Sequence, residues 1–185
     1  MSTLHVENLK GLSSGGNANK IIVPSGQTID ASAGTLVPSA GQVVQVKSTL
    51  ITGTTAVSSN TYGDIMSLAI TPKSSTNKIL VQASGCLSNN TLGNLTMLKL
   101  LRGSTQIASG SAGSYNGSAF FIPAEVWTAG GFAINFLDSP STTSATTYKI
   151  QIAAFNGTGR VGVRGDHTNA HQSIPTFLTL QEIAG

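Results

Sequence analysis

Apolar and polar residues alternate with a period of two along most of this chain. From Gln42 onward the pattern recurs at Val44/Val46, at Ile79/Val81/Ala83, at Tyr148/Ile150/Ile152/Ala154 and at Leu178/Leu180. Successive side chains of a strand point to opposite faces. Each run therefore predicts a strand with one buried face, and Gln45, Gln82, Lys149 and Gln151 are expected to point the other way. Turn-forming clusters separate the runs at 71–77, 88–94, 109–114 and 138–144. The one helical alternative, Leu95 to Arg102, is short, flanked by Thr96 and ended by Gly103, so a buried strand is preferred. Roughly eight or nine strands between residues 42 and 185 predict an all-β protein with a jelly-roll-like β-sandwich.

The amino-terminal quarter follows a different rule. An apolar pair followed by Pro-Ser occurs at Ile22-Val23-Pro24-Ser25 and again at Leu36-Val37-Pro38-Ser39. Proline gives no amide hydrogen to a ladder and a following glycine permits positive φ, so each copy predicts a short strand broken by a turn. One chain cannot bury strands this short. Several identical chains wrapped around one another can, which predicts an interwoven β-stalk over residues 20–47. Its contacts are expected from Ile21, Ile22, Val23, Ile29, Leu36 and Val37. Residues 1–19, with the alternating run Leu4 to Leu9 and a Gly/Ser/Asn linker, predict an extended arm, and residues 48–185 form the knob.

Composition sharpens this picture. Only 9% of residues are charged while 21 are glycine, against roughly a quarter charged in ordinary soluble domains. A weakly charged β-rich surface invites edge-to-edge pairing, and closed assembly removes that hazard. The net charge is +3, but the cations stand singly and form no stripe that tracks phosphates, so no nucleic-acid partner is expected. Cys86 is the sole cysteine. It excludes an intrachain disulfide and reads as a small buried hydrophobe. No secretion signal opens the chain and no apolar run is long enough for a bilayer, so cytosolic synthesis without membrane insertion is expected.

The motifs that carry chemistry are weak. Gly157-Thr-Gly159-Arg-Val-Gly162 has the G-x-G-x-x-G spacing, but a phosphate there needs a helix amino terminus directly after the glycines, and the continuation reads as strand and turn. Arg164-Gly165-Asp166 spells an integrin-type tripeptide and serves a turn here. Sequons such as those starting at Asn94, Asn116 and Asn156 are polar turns in a chain without a secretory route. Asp166, His167 and His171 form the best ionisable cluster for a first-row metal. The Thr-Asn-Ala between the imidazoles reads as loop, which does not align them, and no metal or other cofactor is expected. Glu125 near Trp127 is the one glycosidase-like candidate, with Trp127 better suited to packing. No catalytic constellation is expected. Tyr62, Tyr115 and Trp127 are the aromatics that would stack on a sugar face, with Tyr115 and Trp127 the ligand contacts singled out.

Three stretches carry a family likeness: Lys20 to Leu36, Asp138 to Tyr148, and the terminal Leu178-Thr-Leu-Gln-Glu-Ile-Ala-Gly185. In these the chain resembles virion structural proteins of tailed phages of marine and freshwater cyanobacteria and related bacteria, described as tail-fibre-like or head-fibre-like. The resemblance implies a homotrimer on the virion surface, an amino-terminal arm docked on other capsid or tail proteins, and a β-sandwich knob outward. It supplies no catalytic residues. The reading favoured is a non-enzymatic spike or cement protein decorating the capsid. The alternatives are a tail-fibre adhesin for a host surface glycan and an enzyme cleaving surface polysaccharide.

Overall fold

The computed structural model describes residues 9–11, 13–16, 18, 20–29, 37–110, 116–125, 128–163 and 173–185. The chain divides into two units, Met1–Val37 and Pro38–Gly185. All described secondary structure lies in the second unit and all of it is β: β1 Val43–Ile51, β2 Thr55–Val57, β3 Gly63–Ile70, β4 Lys78–Asn89, β5 Leu95–Arg102, β6 Thr105–Ala108, β7 Ala119–Phe121, β8 Ala129–Asp138, β9 Thr146–Phe155, β10 Gly159–Val161 and β11 Thr176–Ile183. Leu95–Arg102 is a strand, as its length favours. The eleven strands exceed the expected eight or nine because β2, β7 and β10 are three residues each, too short to leave a period in the sequence.

Two antiparallel sheets result. In the first, β1 pairs with β11, β11 with β4 and β4 with β8, while β10 and β2 continue the sheet beyond β11 along β4. In the second, β3 pairs with β9, β9 with β5, and β5 with β6 and β7 along one edge. Setting aside the three-residue strands, the eight others run first, eighth, third, sixth in one sheet and second, seventh, fourth, fifth in the other. That winding is the eight-stranded jelly roll, two sheets interleaved in sequence so that neighbours in space are distant in the chain.

The predicted alternation sets the core. Ile79, Val81 and Ala83 of β4 and Leu178 and Leu180 of β11 meet Leu98 and Leu100 of β5 and Tyr148, Ile150 and Ile152 of β9, all buried. Phe121 closes the side between β7 and β8, where a side chain at Gly130 would run into its ring. Cys86 is buried, and burial pushes its thiol pKa up.

At β1 the alternation slips. A register shift between Val43 and Gln45 moves one residue to the other face. Val46 is exposed, and Gln45, expected to face outward, instead donates to the buried Glu182. Residues 43–47, assigned from sequence to the stalk, open β1 and pair with β11. The sandwich thus takes in the last residues of that stretch. The backbone before β1 is pinned to the chain's end, since Gly41 N donates to Ala184 O and Ala184 N to Gln42 O, both at 2.8 Å.

Candidate functional site

Both Pro-Ser copies close turns, and they differ by one residue. In the first, Gln27 N donates to Pro24 O at 3.1 Å around Gly26, whose φ is 81°. In the second, Ala40 is interposed. Gln42 N donates to Ser39 O at 3.1 Å around Gly41, φ 85°, and the Gln42 side chain accepts from Ser39 N at 2.9 Å. Both glycines take the left-handed conformation that a side chain resists. The strands expected beside the first turn make no ladder among the described residues 20–29. Their apolar side chains face solvent: Ile21 53%, Ile22 57%, Val23 39%, Ile29 59% and Val37 89% exposed. Leu36 lies outside the described residues.

The sandwich has two poles, each tied by polar groups across the sheets. At the pole where the chain enters β1, Asp138 of β8 accepts from Arg102 Nη1 on β5 at 2.8 and 2.9 Å and from the Tyr148 hydroxyl on β9 at 2.7 Å. At the same pole the buried Glu182 carboxylate accepts from Asn77 Nδ2 at 2.6 Å, Lys73 N at 2.6 Å and Gln45 Nε2 at 2.5 Å. At the opposite pole Asn89 donates to Thr96 Oγ1 at 3.2 Å and Thr96 to Ser88 O at 2.9 Å, both buried. Asn89 also holds the turn after β9 through Asn156 O at 3.2 Å.

The outer face of the second sheet carries an ion pair and a cation over an aromatic ring. Asp64 accepts from Lys149 Nζ and Gln151 Nε2, each at 2.7 Å, and the Lys149 bond foremost holds its pKa below the usual carboxylate value. Lys99 Nζ sits 4.0 Å from the centre of the Tyr62 ring, and the Tyr62 hydroxyl points at Met97 Sδ, 3.5 Å away. Tyr62 is therefore a poor sugar platform, with one ring face already under a cation.

Few of the chemical candidates come together. Gly159–Val161, where a dinucleotide site would need the first turn of a helix, is strand β10, which removes that reading. Three of the four described carboxylates, Asp64, Asp138 and Glu182, are engaged in the contacts above. Glu125 is exposed in a turn closed by Thr128, whose N and Oγ1 both donate to its backbone oxygen. Among the described residues no three His, Cys, Asp or Glu side chains gather to hold a metal ion. His167, His171, Tyr115, Trp127 and the Arg164-Gly165-Asp166 tripeptide lie outside the described residues.

One feature escaped the sequence reading. Ser58, Ser59 and Asn60, between β2 and β3, face Phe155, the last residue of β9, and Asn156 and Gly157 just after it across an open cleft of about 430 Å³. Asn156 and Gly157 both have positive φ, 60° and 67°. An Asn-Gly pair directly after an aromatic residue was the visible signal, though nothing in the sequence places Ser58 to Asn60 opposite it.

No protein-family model matches the chain, and no curated protein matches it. Among solved structures it is similar to chains of infectious bursal disease virus. These include the Gx strain (12% identity, TM-score 0.39, covering 77% of this chain and 37% of that one) and the VP2 subviral particle (11%, 0.40, 77% and 38%). The Gt strain is a third (13%, 0.41, 88% and 43%). The chain spans less than half the length of these viral chains, and a likeness this loose bears on neither ancestry nor function. What the chain's own strand order defines is an antiparallel β-sandwich of the jelly-roll type.

Proposed function

We propose that this chain is a non-enzymatic virion structural protein, a homotrimer standing on a phage particle. Residues 1–19 attach it to other virion proteins, residues 20–42 braid with two sister copies, and the jelly roll from β1 onward is the exposed body. The observation that carries the reading is the run of solvent-facing Ile21, Ile22, Val23, Ile29 and Val37 on a segment whose described residues make no ladder. Covering an Ile or Val side chain is worth about 1.5–3 kcal/mol, so a few such residues from each of three chains supply a substantial driving force. The low charge of the chain and its sequence resemblance to phage virion proteins support the same reading. A jelly roll alone does not, since the fold serves many functions.

Capsid decoration is favoured over a tail-fibre position because the proposed braid, residues 20–42, is short for a shaft. Imaging particles made without this protein tests both. Density lost from the capsid surface, with weakened shells, is the expected result. Density lost from the tail, with failed adsorption, transfers the protein to the fibre, and unchanged particles overturn the virion reading.

A further inference from the structure

We infer that the cleft between the β2–β3 loop and the turn after β9 is a subsite for one ring of a neutral sugar. Its size, about 430 Å³, falls within the roughly 300–1,000 Å³ of small-molecule sites. None of the residues lining it is ionisable. A phosphate, carboxylate or ammonium ligand would surrender its hydration there without meeting an opposite charge. Serine hydroxyls and asparagine carboxamides both donate and accept, which is what the hydroxyls of an uncharged sugar require.

The walls are fixed before any ligand arrives. Ser59 O accepts from Ala154 N at 2.8 Å, joining one wall to the end of β9. Ser59 Oγ accepts from Thr61 N at 3.0 Å, and Ser58 Oγ lies 2.8 Å from Thr158 Oγ1. The opposite wall hangs on Asn89, buried and bonded to Asn156 O. Gly157 has no room for a side chain, because a Cβ would meet Thr91 and Asn89. Among the described residues, the carboxamides of Asn60 and Asn156 are bonded to no other side chain. The site lies at the pole of the sandwich opposite the one where the chain enters β1.

Titration of the full chain with cellobiose, maltose, lactose and N,N′-diacetylchitobiose, followed by ligand-observed NMR, tests the assignment, with digalacturonic acid as the anionic comparison. At least one neutral disaccharide is expected to bind with a Kd of roughly 1 mM, the ordinary strength of a small single contact. Asn60→Ala and Asn156→Gly should each weaken it about tenfold, equivalent to about 1.4 kcal/mol. Asn156→Gly is the decisive variant, since glycine accepts the positive φ and only the carboxamide is lost. Phe120→Ser, at an exposed aromatic (71%) on β7, should leave binding unchanged. Failure of every neutral disaccharide to bind, preference for the anionic one, or binding indifferent to Asn156→Gly overturns the subsite. The inference does not rest on the trimer: sugar binding by a monomer, or a trimer that binds no sugar, defeats one reading and spares the other.

Discussion

The phenol of Tyr148 on β9 donates a 2.7 Å hydrogen bond to Oδ2 of Asp138 on β8, joining two residues that belong to different sheets. Tyr148 is wholly buried and Asp138 nearly so. Burial first, and then the bond to Asp138, push the Tyr148 pKa up, so it remains a donor across the working pH range. Tyr148→Phe removes the donor and keeps the ring in the core. Asp138 retains Arg102, and the expected loss is about 1.5–3 kcal/mol, the range for a hydrogen bond to a charged group. Asp138→Ala should cost more, because it strands both the phenol and part of the guanidinium. Urea unfolding at constant m-value measures both, and an unchanged midpoint for Tyr148→Phe would mean the tie contributes nothing.

Glu182 is a buried carboxylate held by neutral donors. Burial on its own raises its pKa, but the bonds from Asn77, Gln45 and the backbone of Lys73 and Ser74 outweigh burial and hold it below the ordinary value. A depressed folded-state pKa contributes stability that is complete above the unfolded value, near 4.5, and is lost as pH falls through the folded one. The protein should therefore lose stability on acidification below about pH 4.5. Glu182→Gln should flatten that dependence while lowering stability at neutral pH by about 1–3 kcal/mol, because its amide hydrogens meet donors. Thermal melts of both proteins from neutral to acid pH measure this. Parallel curves would assign the acid sensitivity to another carboxylate.

How much of this was legible in the sequence depended on the length of each pattern. Ile79, Val81 and Ala83, Tyr148 to Ala154, and Leu178 with Leu180 repeat the period of two often enough to mark their faces, and all lie in the core. A single extra residue defeats the same rule. The slip between Val43 and Gln45 turns Gln45 inward toward Glu182, a partner 137 positions away that periodicity cannot supply. The strand order was out of reach for the same reason: in a jelly roll most neighbours are distant in the chain. The cleft joins residues 58–60 to 155–157, and only that long-range pairing of loops makes a site of two ordinary polar turns.

Thr176 opens β11 with its hydroxyl buried and, among the described residues, without a hydrogen-bond partner. A stranded hydroxyl costs about 1–3 kcal/mol, and valine has nearly the same shape with a better fit to a strand. Thr176→Val is expected to stabilise the protein by about 1 kcal/mol, read as a raised melting temperature. A lowered one would mean that the hydroxyl is bonded after all, to water or to a neighbour.

The assembly proposal makes the most exposed prediction. If Ile22 and Val23 are covered by sister chains, replacing each by aspartate buries a charge without a partner, which assembly tolerates poorly, whereas in an isolated chain both positions meet water and the change is nearly silent. Ile22→Asp/Val23→Asp should therefore lower the solution mass from about three times 18.9 kDa to one. The far-ultraviolet circular dichroism should stay the same, because the jelly roll begins at Val43. The wild-type melting temperature should rise with concentration, as expected when folding and association are linked, and that of the variant should not. A variant that remains trimeric would move the threefold contact to the sandwich itself. A wild-type protein that is monomeric at every concentration would remove the braid, and with it the reason for so many uncovered aliphatic side chains between Ile21 and Val37.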